Sequence, residues 1–377
     1  MKFLIHIVLM SLLLFQTTLA GQKISDDSLM KIANLEIYNN PDNAINIGKK
    51  LLRKERDLNK SIKIYLILST AGIAKRNFDE SLQYILKARE LVQKTNDPKI
   101  QTSFLIAAAV QYQQMELFSK SLETLDEADE YLVKLPEDSY LKNFETARSF
   151  ALRGMIYKSQ SNPEIALQEF LIAIRNFEKI KEKKEKTYFN QSIIYYNIGH
   201  CYLNLNQPDN AGTAFMKSMN LAGMIKAKSL EAFALKGLAE MNKQKHQNQE
   251  ALKLLIKAEN LGKEAGDLSL NEGIYKEMAD NYLAMGNPNL YQVYSRKYFE
   301  TKFKREQSEL SSINHAIDVH NMETQKKSKK LATRYNYFMA GMIILGLFIL
   351  SIFFYFVMKI RKQNKKYHDE IKQLIRD

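Results

Sequence analysis

The stretch SIIYYNIGHCYLNLNQPDNAGTAFMKSM, residues 192–219, carries the pattern on which the fold of this chain depends. Four of its residues are spaced by three, one and three positions, which places them on one stripe of a helix. These four residues are Tyr195, Ile198, Gly199 and Tyr202. Glycine costs about 1 kcal/mol in a helix relative to alanine. We therefore expect Gly199 to stand where a partner helix approaches closely.

A turn and a second helix follow this stripe. Pro208 in the segment 206–209 lacks an amide donor and restrains the residue before it, so the first helix must end there. The second helix carries its own stripe of small and aromatic residues, Ala211, Phe215 and Ser218. The stretch therefore predicts two antiparallel helices joined by a tight turn.

The same frame fits one repeat earlier in the chain. The matching residues are Phe150, Gly154, Tyr157, Ala166, Phe170 and Ala173. Together the two copies resemble the tetratricopeptide repeat, whose order of aromatic, Leu-Gly, Tyr, Ala, Phe and Ala they follow. They depart from it at the closing proline, where Glu178 and Gly223 stand, and Arg153 replaces the usual leucine in the earlier copy.

Weaker copies extend the frame in both directions. The residue that opens each second helix falls at Ala44, Ser81, Ser121, Ala166, Ala211, Ala251 and Tyr291. Since one hairpin buries too little surface alone, the copies must stack. The sequence therefore predicts an all-α solenoid of six to seven tetratricopeptide-like hairpins, followed by a long helix and one transmembrane helix. An ordinary helical bundle is the alternative.

The N-terminus has the layout of a secretory signal peptide. Lys2 precedes an apolar run from Phe3 to Phe15, and small residues stand before a cleavage position after Ala20. We expect residues 1–20 to be removed. An uncleaved N-terminal anchor is the alternative.

Residues 338–358 form 21 consecutive positions without a charge. At 1.5 Å per residue they span about 30 Å, the thickness of a bilayer core. Basic residues flank both ends, so the orientation follows from the signal peptide instead. We expect a single pass through the inner cell membrane, with the repeats outside the cytoplasm.

These features divide the chain into five segments. They are the signal peptide at 1–20, the solenoid at 21–300, a helical linker at 301–337, the membrane helix at 338–358 and a basic cytoplasmic tail at 359–377. Within the solenoid, residues 136–146 are interpreted as a loop or short extra turn. The charged run 179–186 is interpreted as a solvated helix end or link.

Composition excludes some function classes. The net charge of +13 invites a nucleic-acid partner, but the lysines are spread along the repeats without interleaved aromatic residues. We therefore expect no direct nucleic-acid binding. Cys201 has no other cysteine to pair with, and its place beside Tyr202 indicates a buried structural thiol.

Chemical motifs are sparse. The sequence contains no phosphate-binding glycine loop, HExxH pair, GxSxG elbow or paired CxxC, so we expect neither an enzyme nor a cofactor. His315, Asp318, His320 and Glu323 lie close together, but the two histidines point about 140° apart on a helix. Solvated helix residues are the expectation there, and no metal site is predicted.

The C-terminal residues 368–374 resemble the phosphoacceptor box of a sensor-kinase family, H-D-x-[Ile/Leu]-x-Gln, with His368 at the acceptor position. Lys372 stands where that family usually has glycine, and an exposed helix histidine is the alternative. The whole layout also resembles membrane regulators that end in an AraC-type or LuxR-type DNA-binding domain. That resemblance implies a sensor half whose output domain is missing or supplied by a cytoplasmic signalling partner at the tail, 359–377.

The first helices of a stacked solenoid line a concave face. Candidate groove residues on these helices, off the packing stripe, are Arg148, Lys158, Tyr196, His200, Lys236 and Lys276. Their cationic and aromatic groups suit an acidic ligand or a C-terminal carboxylate. His200 has a second interpretation as a satisfied polar residue of the stack. The leading hypothesis is a membrane-anchored protein that binds a peptide or protein partner, with the sensor half of a regulator as the alternative.

Overall fold

The computed structural model describes residues 25–374, and within this range all regular secondary structure is helical. Side chains are described throughout the range except at 38–39, 265, 308–309, 311–316, 319–320, 323, 327 and 367–374. The helices are α1 Asp26–Asn39, α2 Pro41–Leu52, α3 Leu58–Ala74, α4 Phe78–Val92, α5 Pro98–Gln114, α6 Phe118–Leu132, α7 Tyr140–Ser159, α8 Pro163–Glu178, α9 Glu185–Asn204, α10 Pro208–Met224, α11 Lys228–Gln244, α12 Asn248–Ala265, α13 Leu268–Ala284 and α14 Pro288–Leu374. The predicted signal peptide lies outside the described residues.

The helices form successive hairpins, from α1–α2 to α13 and the start of α14. The small residue used to align the copies is the fourth residue of every second helix, from Ala44 in α2 to Ala251 in α12. It is almost fully buried in the first six hairpins. Tyr291 holds the same position in α14 and is half-buried. The predicted all-α solenoid of six to seven hairpins is confirmed.

The turns within the hairpins share one backbone geometry in all but the first hairpin, with a residue of positive φ in each. In the turn between α9 and α10, Asn206 has a φ of 55°, and the N–H of Gln207 donates to the carbonyl of Tyr202 at 2.8 Å. This bond satisfies an open carbonyl at the end of α9. Pro208 then begins α10, where its fixed φ is favourable and its missing N–H is not needed. Its role is therefore to start the second helix as much as to end the first.

Glycine and phenylalanine explain how closely the helices approach. A Cβ atom added at Gly199 would lie 2.6 Å from Cδ1 of Phe215, and one added at Gly237 of α11 would lie 2.5 Å from the same atom. The ring of Phe215 is thus enclosed between two glycines and is fully buried. Gly154 faces Phe170 in the preceding hairpin in the same way, with its added Cβ 2.8 Å from Cδ1.

One interpretation of the connecting segments needs correction. Residues 136–146 are not a loop throughout, because Ser139 caps α7 by accepting from the N–H of Lys142 and the helix begins at Tyr140. The run 179–186 is the link after α8 together with the start of α9 at Glu185, in agreement with its interpretation as a helix end or link. Arg153, where the repeat usually has leucine, forms ion pairs at 3.0 and 2.8 Å with two aspartates of α6. Ion pairs therefore connect these two repeats at a position where the family usually has an apolar residue.

Contacts divide the chain into two compact units with a boundary after Ala316. In the second unit, the helical segment Thr324–Lys366 is long and apolar enough to cross a membrane, and its mean hydropathy reaches 2.5. Its large apolar side chains, such as Phe348 and Phe353, are exposed in the isolated chain. The boundaries predicted at 300/301, 337/338 and 358/359 all fall inside helix α14 and stay predictions.

Candidate functional site

Successive first helices bring four of the six predicted groove residues together. Lys158 comes from α7, Tyr196 and His200 from α9, and Lys236 from α11. The centroid of the Tyr196 ring is 4.5 Å from that of the His200 ring. The positive charge of Lys236 contributes to lowering the pKa of both His200 and Lys158. We call these residues, with Asn197, Glu240, Lys243 and Glu277, the inner-face cluster.

The other two predicted residues do not join the cluster. Arg148 forms an ion pair of 2.8 Å with Glu145, a carboxylate that is only 5% exposed, and it lies over the ring of Phe144. Arg148 therefore already has an anionic partner on its own helix. Lys276 on α13 is exposed, and its side chain has no ion pair in the described part of the chain.

Lys158 and Asn197 form a contact between α7 and α9. The ammonium group of Lys158 donates to Oδ1 of Asn197, while Nδ2 of Asn197 donates to the carbonyl of Ile193 at 2.8 Å. The second bond fixes the orientation of the amide, so that its oxygen faces the lysine. Within the described residues, no carboxylate lies within ion-pair distance of Lys158. Burial lowers the pKa of this lysine, because removing it from water disfavours its charged form.

His200 sits in an aromatic environment at the edge of the cluster. Its ring contacts Tyr196 edge-on at 4.5 Å and Phe215 at 5.2 Å, and its Nδ1 lies 3.3 Å from Oε2 of Glu240. Burial, together with the positive charges of Lys236 and Lys158, lowers the pKa of His200 well below its usual range. The imidazole is therefore neutral at pH 7.

Lys236 and Glu240 are one turn apart on α11 and form an ion pair in which the two side chains are 12% and 15% exposed. Burial opposes the charge of Lys236, but the neighbouring Tyr196 and Glu240 outweigh it and raise the pKa of the lysine. Gly273 of α13 leaves room for the stem of Lys236, since an added Cβ would approach its Cε to 2.7 Å. The pair is held in place by packing on two sides.

A cleft of about 300 Å³ opens beside His200. It is lined by His200, Leu203, Asn204, Glu240, Lys243, Gln244 and Glu277. Lys243 and Glu277 form an ion pair across α11 and α13. The cleft therefore holds two carboxylates and a lysine, and every cation on its wall has an anionic partner.

Sequence reasoning missed four members of this cluster, Asn197, Glu240, Lys243 and Glu277. A signal for two of them was present, because Glu240 and Lys243 follow Lys236 at four and seven positions and so share its helical face. The inner-face cluster is consequently a surface of mixed charge, and among its three lysines Lys158 is the one without a carboxylate partner in the described residues.

The predicted packing residues occupy two apolar clusters. The fully buried members are Ala166, Phe170 and Ala173 in the first cluster, and Ala211 and Phe215 in the second. Both glycines, Gly154 and Gly199, are buried, and the four aromatic residues Phe150, Tyr157, Tyr195 and Tyr202 are half-buried against the first cluster. Cys201 is buried as well, and burial raises the pKa of its thiol to about 11. Such a thiol stays protonated and unreactive at neutral pH.

The remaining histidines and acidic residues considered in the sequence analysis lie partly outside the described residues. No group of three or more metal-ligating side chains occurs among the described residues. Asp318 is exposed, whereas the side chains of His315, His320, Glu323 and His368 are outside the described ones.

A comparison with protein families identifies one of the hairpins. The family profile of the tetratricopeptide repeat matches residues 184–223, which cover α9 and all but the last residue of α10. The chain therefore contains a tetratricopeptide repeat. Its repeats are longer than the standard 34 residues, since the aligned positions Ser121, Ala166 and Ala211 are 45 residues apart. No curated protein matches the chain by sequence.

Several solved structures share the fold of this chain. A Rap protein complexed with competence and sporulation factor is 14% identical, with a TM-score of 0.53 over 78% of this chain and 91% of its own. NprR in complex with its cognate peptide NprX is 13% identical, with a TM-score of 0.53 over 85% and 94%. A signal transduction ATPase from Pyrococcus horikoshii with a tetratricopeptide repeat sensor is 14% identical, with a TM-score of 0.50 over 78% and 49%. At these identities the likeness is one of fold.

Proposed function

We propose that the protein binds a peptide or protein segment on the face formed by α7, α9, α11 and α13, and that a carboxylate of the ligand contacts Lys158. The observation that carries this proposal is the half-buried ammonium group of Lys158, which faces a neutral amide instead of a carboxylate. The other two lysines of the inner-face cluster, Lys236 and Lys243, already have glutamate partners.

The electrostatics of the free protein favour an anionic ligand at this point. A buried cation without a counter-charge is unfavourable, and burial lowers the pKa of Lys158 accordingly. A ligand carboxylate would restore the charge balance through charge-assisted hydrogen bonds from Lys158. Binding should therefore raise the pKa of Lys158.

The neighbouring cleft offers space for part of the ligand beside the carboxylate. Its volume of about 300 Å³ is at the lower end of the range of ligand pockets, so it suits one or two side chains. The Rap and NprR structures, which share the fold, are complexes with competence and sporulation factor and with a cognate peptide. This supports a segment of polypeptide as the ligand class.

A peptide library with free C-terminal carboxylates, and the same library amidated, would test the proposal on the full-length protein in detergent. Lys158→Met should weaken binding of the selected free-acid peptides at least about tenfold, because a charge-assisted hydrogen bond contributes about 1.5–3 kcal/mol. Lys276→Met, which removes an exposed lysine of α13, is the matched control and should leave affinity unchanged. Full affinity of Lys158→Met would refute this site, and equal binding of amidated peptides would show that the contacting carboxylate is not the C-terminal one.

We also propose that residues 338–358 cross the inner membrane and that the repeats lie outside the cytoplasm. The apolar segment can satisfy its backbone polar groups within lipid only as a helix, and the basic residues at 359–366 resist transfer across the membrane. Alkaline phosphatase fused after residue 330 should be active, and fused after residue 377 inactive. The reverse pattern would place the repeats in the cytoplasm and would mean that residues 1–20 are not a signal peptide.

A further inference from the structure

Helix α14 packs on the solenoid with one face. On this face the ring of Tyr294 stacks on Tyr282 with centroids 5.4 Å apart, and Lys297 forms an ion pair of 3.2 Å with Glu259. Two turns later, Arg305 forms an ion pair of 2.5 Å with Glu272. These contacts define which side of the helix is already used within the chain.

A second apolar face lies on another side of the same helix. Phe299, Phe303 and Leu310 are 61%, 66% and 63% exposed. At 100° per residue they lie about 120–180° from Tyr294, Lys297 and Arg305 around the helix axis. Large apolar residues that recur on one exposed helix face indicate a surface that another helix covers.

The spacing of the apolar residues on this second face favours another copy of the same helix as the partner. Phe303 and Leu310 are seven residues apart, and in the sequence Ile317 and Leu331 continue the register at multiples of seven. Phe299 precedes Phe303 by four positions, as the alternate position of a heptad does. A seven-residue repeat keeps an apolar seam facing a partner that winds around it in the same register.

The residues that flank the seam are compatible with a parallel copy. In that pairing, Ser295 of one chain would face Glu300 of the other, and Lys302 would face Gln307. Neither pair brings like charges together. One seam position is unfavourable, since Glu306 would face its own copy, but Lys302 lies 3.7 Å from its carboxylate within the chain and partly compensates its charge.

We propose that α14 is a homodimer interface, in which Phe299, Phe303 and Leu310 pack in parallel against the same residues of a second copy of this chain. The interface is separate from the inner-face cluster, so each can fail without the other. Glu306 limits the stability of the dimer, because the two copies of this carboxylate lie together in the seam.

Cysteine crosslinking of the full-length protein in its membrane tests the proposal, since the native Cys201 is buried and does not interfere. Single variants Phe303→Cys and Leu310→Cys should form disulfide-linked dimers with a mild oxidant. Ser308→Cys, placed on the opposite side of the heptad, is the matched control and should not. A parallel in-register seam is required, because only then do identical positions meet along its length.

Two further variants make the outcome decisive. Glu306→Leu should increase the crosslinked fraction of Phe303→Cys, and Leu310→Asp should weaken dimerisation about tenfold or more, since burying a leucine side chain is worth at least one factor of ten in an equilibrium constant. Crosslinking at none of these positions, or equally at Phe303, Ser308 and Leu310, would overturn the proposal. An unchanged crosslinked fraction in Glu306→Leu would also contradict it.

Discussion

Gly199 and His200 are adjacent in α9 but belong to two regions that are stabilised in different ways. Gly199 faces the enclosed ring of Phe215, where one added carbon atom would clash. His200 turns to the inner-face cluster, where it contacts Glu240 and lines an open cleft. The first region is apolar and fixed by shape, and the second is polar and held by paired charges. The difference shows that the repeat pattern specifies the packing of the hairpins and does not specify the residues of the neighbouring helix face.

The largest expected effect comes from breaking the charge balance of the polar region. Glu240→Ala leaves the ammonium group of Lys236 largely buried without its main partner, which should lower the free energy of unfolding by about 3 kcal/mol. The double variant Lys236→Met/Glu240→Leu should recover most of this loss, because an apolar pair of similar size removes the unpaired charge. Urea denaturation of the full-length protein in mild detergent measures both. Equal instability of the single and double variants would show that the contact acts through shape and not charge.

A smaller effect is expected in the apolar region. Gly199→Ala adds a Cβ within 3 Å of the ring of Phe215, and overpacking of this kind should lower the free energy of unfolding by about 1–3 kcal/mol. Gly223→Ala is the matched control, since this glycine lies in α10 with no atom within 4 Å of an added Cβ. It should raise the free energy of unfolding by about 0.5–1 kcal/mol through helix propensity. Effects of the same sign in both variants would argue against the close approach at Gly199.

The same contrast explains which features of the fold and of the site could be predicted from the sequence. The positions of Ala211 and Gly199 follow from steric demands that recur in each repeat, so a periodic pattern identifies the hairpins and their number. The contact between Lys158 and Asn197 joins residues 39 positions apart on neighbouring helices. Because the spacing between repeats varies from 37 to 45 residues, the sequence does not specify which side chains of successive first helices meet.

Acidic partners were missed for a related reason. A search for a cationic groove selects Lys236 by its charge, but the character of the site depends on whether that charge is compensated. Glu240 lies one helical turn beyond it and changes the interpretation from an open anion site to an internal ion pair. Lys158 gains its importance only from the structure, which shows that its partner is a neutral amide.

The smallest expected effect is a pH dependence that separates the two regions. Burial and the charges of Lys236 and Lys158 lower the pKa of His200 in the folded state below its unfolded value of 6.5. The unfolded chain therefore binds more protons as the pH falls below 6.5, and the folded state loses stability in that window.

His200→Phe retains the aromatic contacts with Tyr196 and Phe215 but cannot be protonated. Between pH 6.5 and 5.5, the free energy of unfolding of the wild type should fall by about 1 kcal/mol more than that of the variant. Carboxylates that titrate in both proteins, Glu240 among them, contribute equally to the two pH profiles wherever their environment is unchanged. Their contribution cancels when the free energies of unfolding are subtracted. Parallel pH profiles for wild type and variant would mean that the imidazole is already protonated or solvated in the folded protein, and that Glu240 holds it as a charged pair.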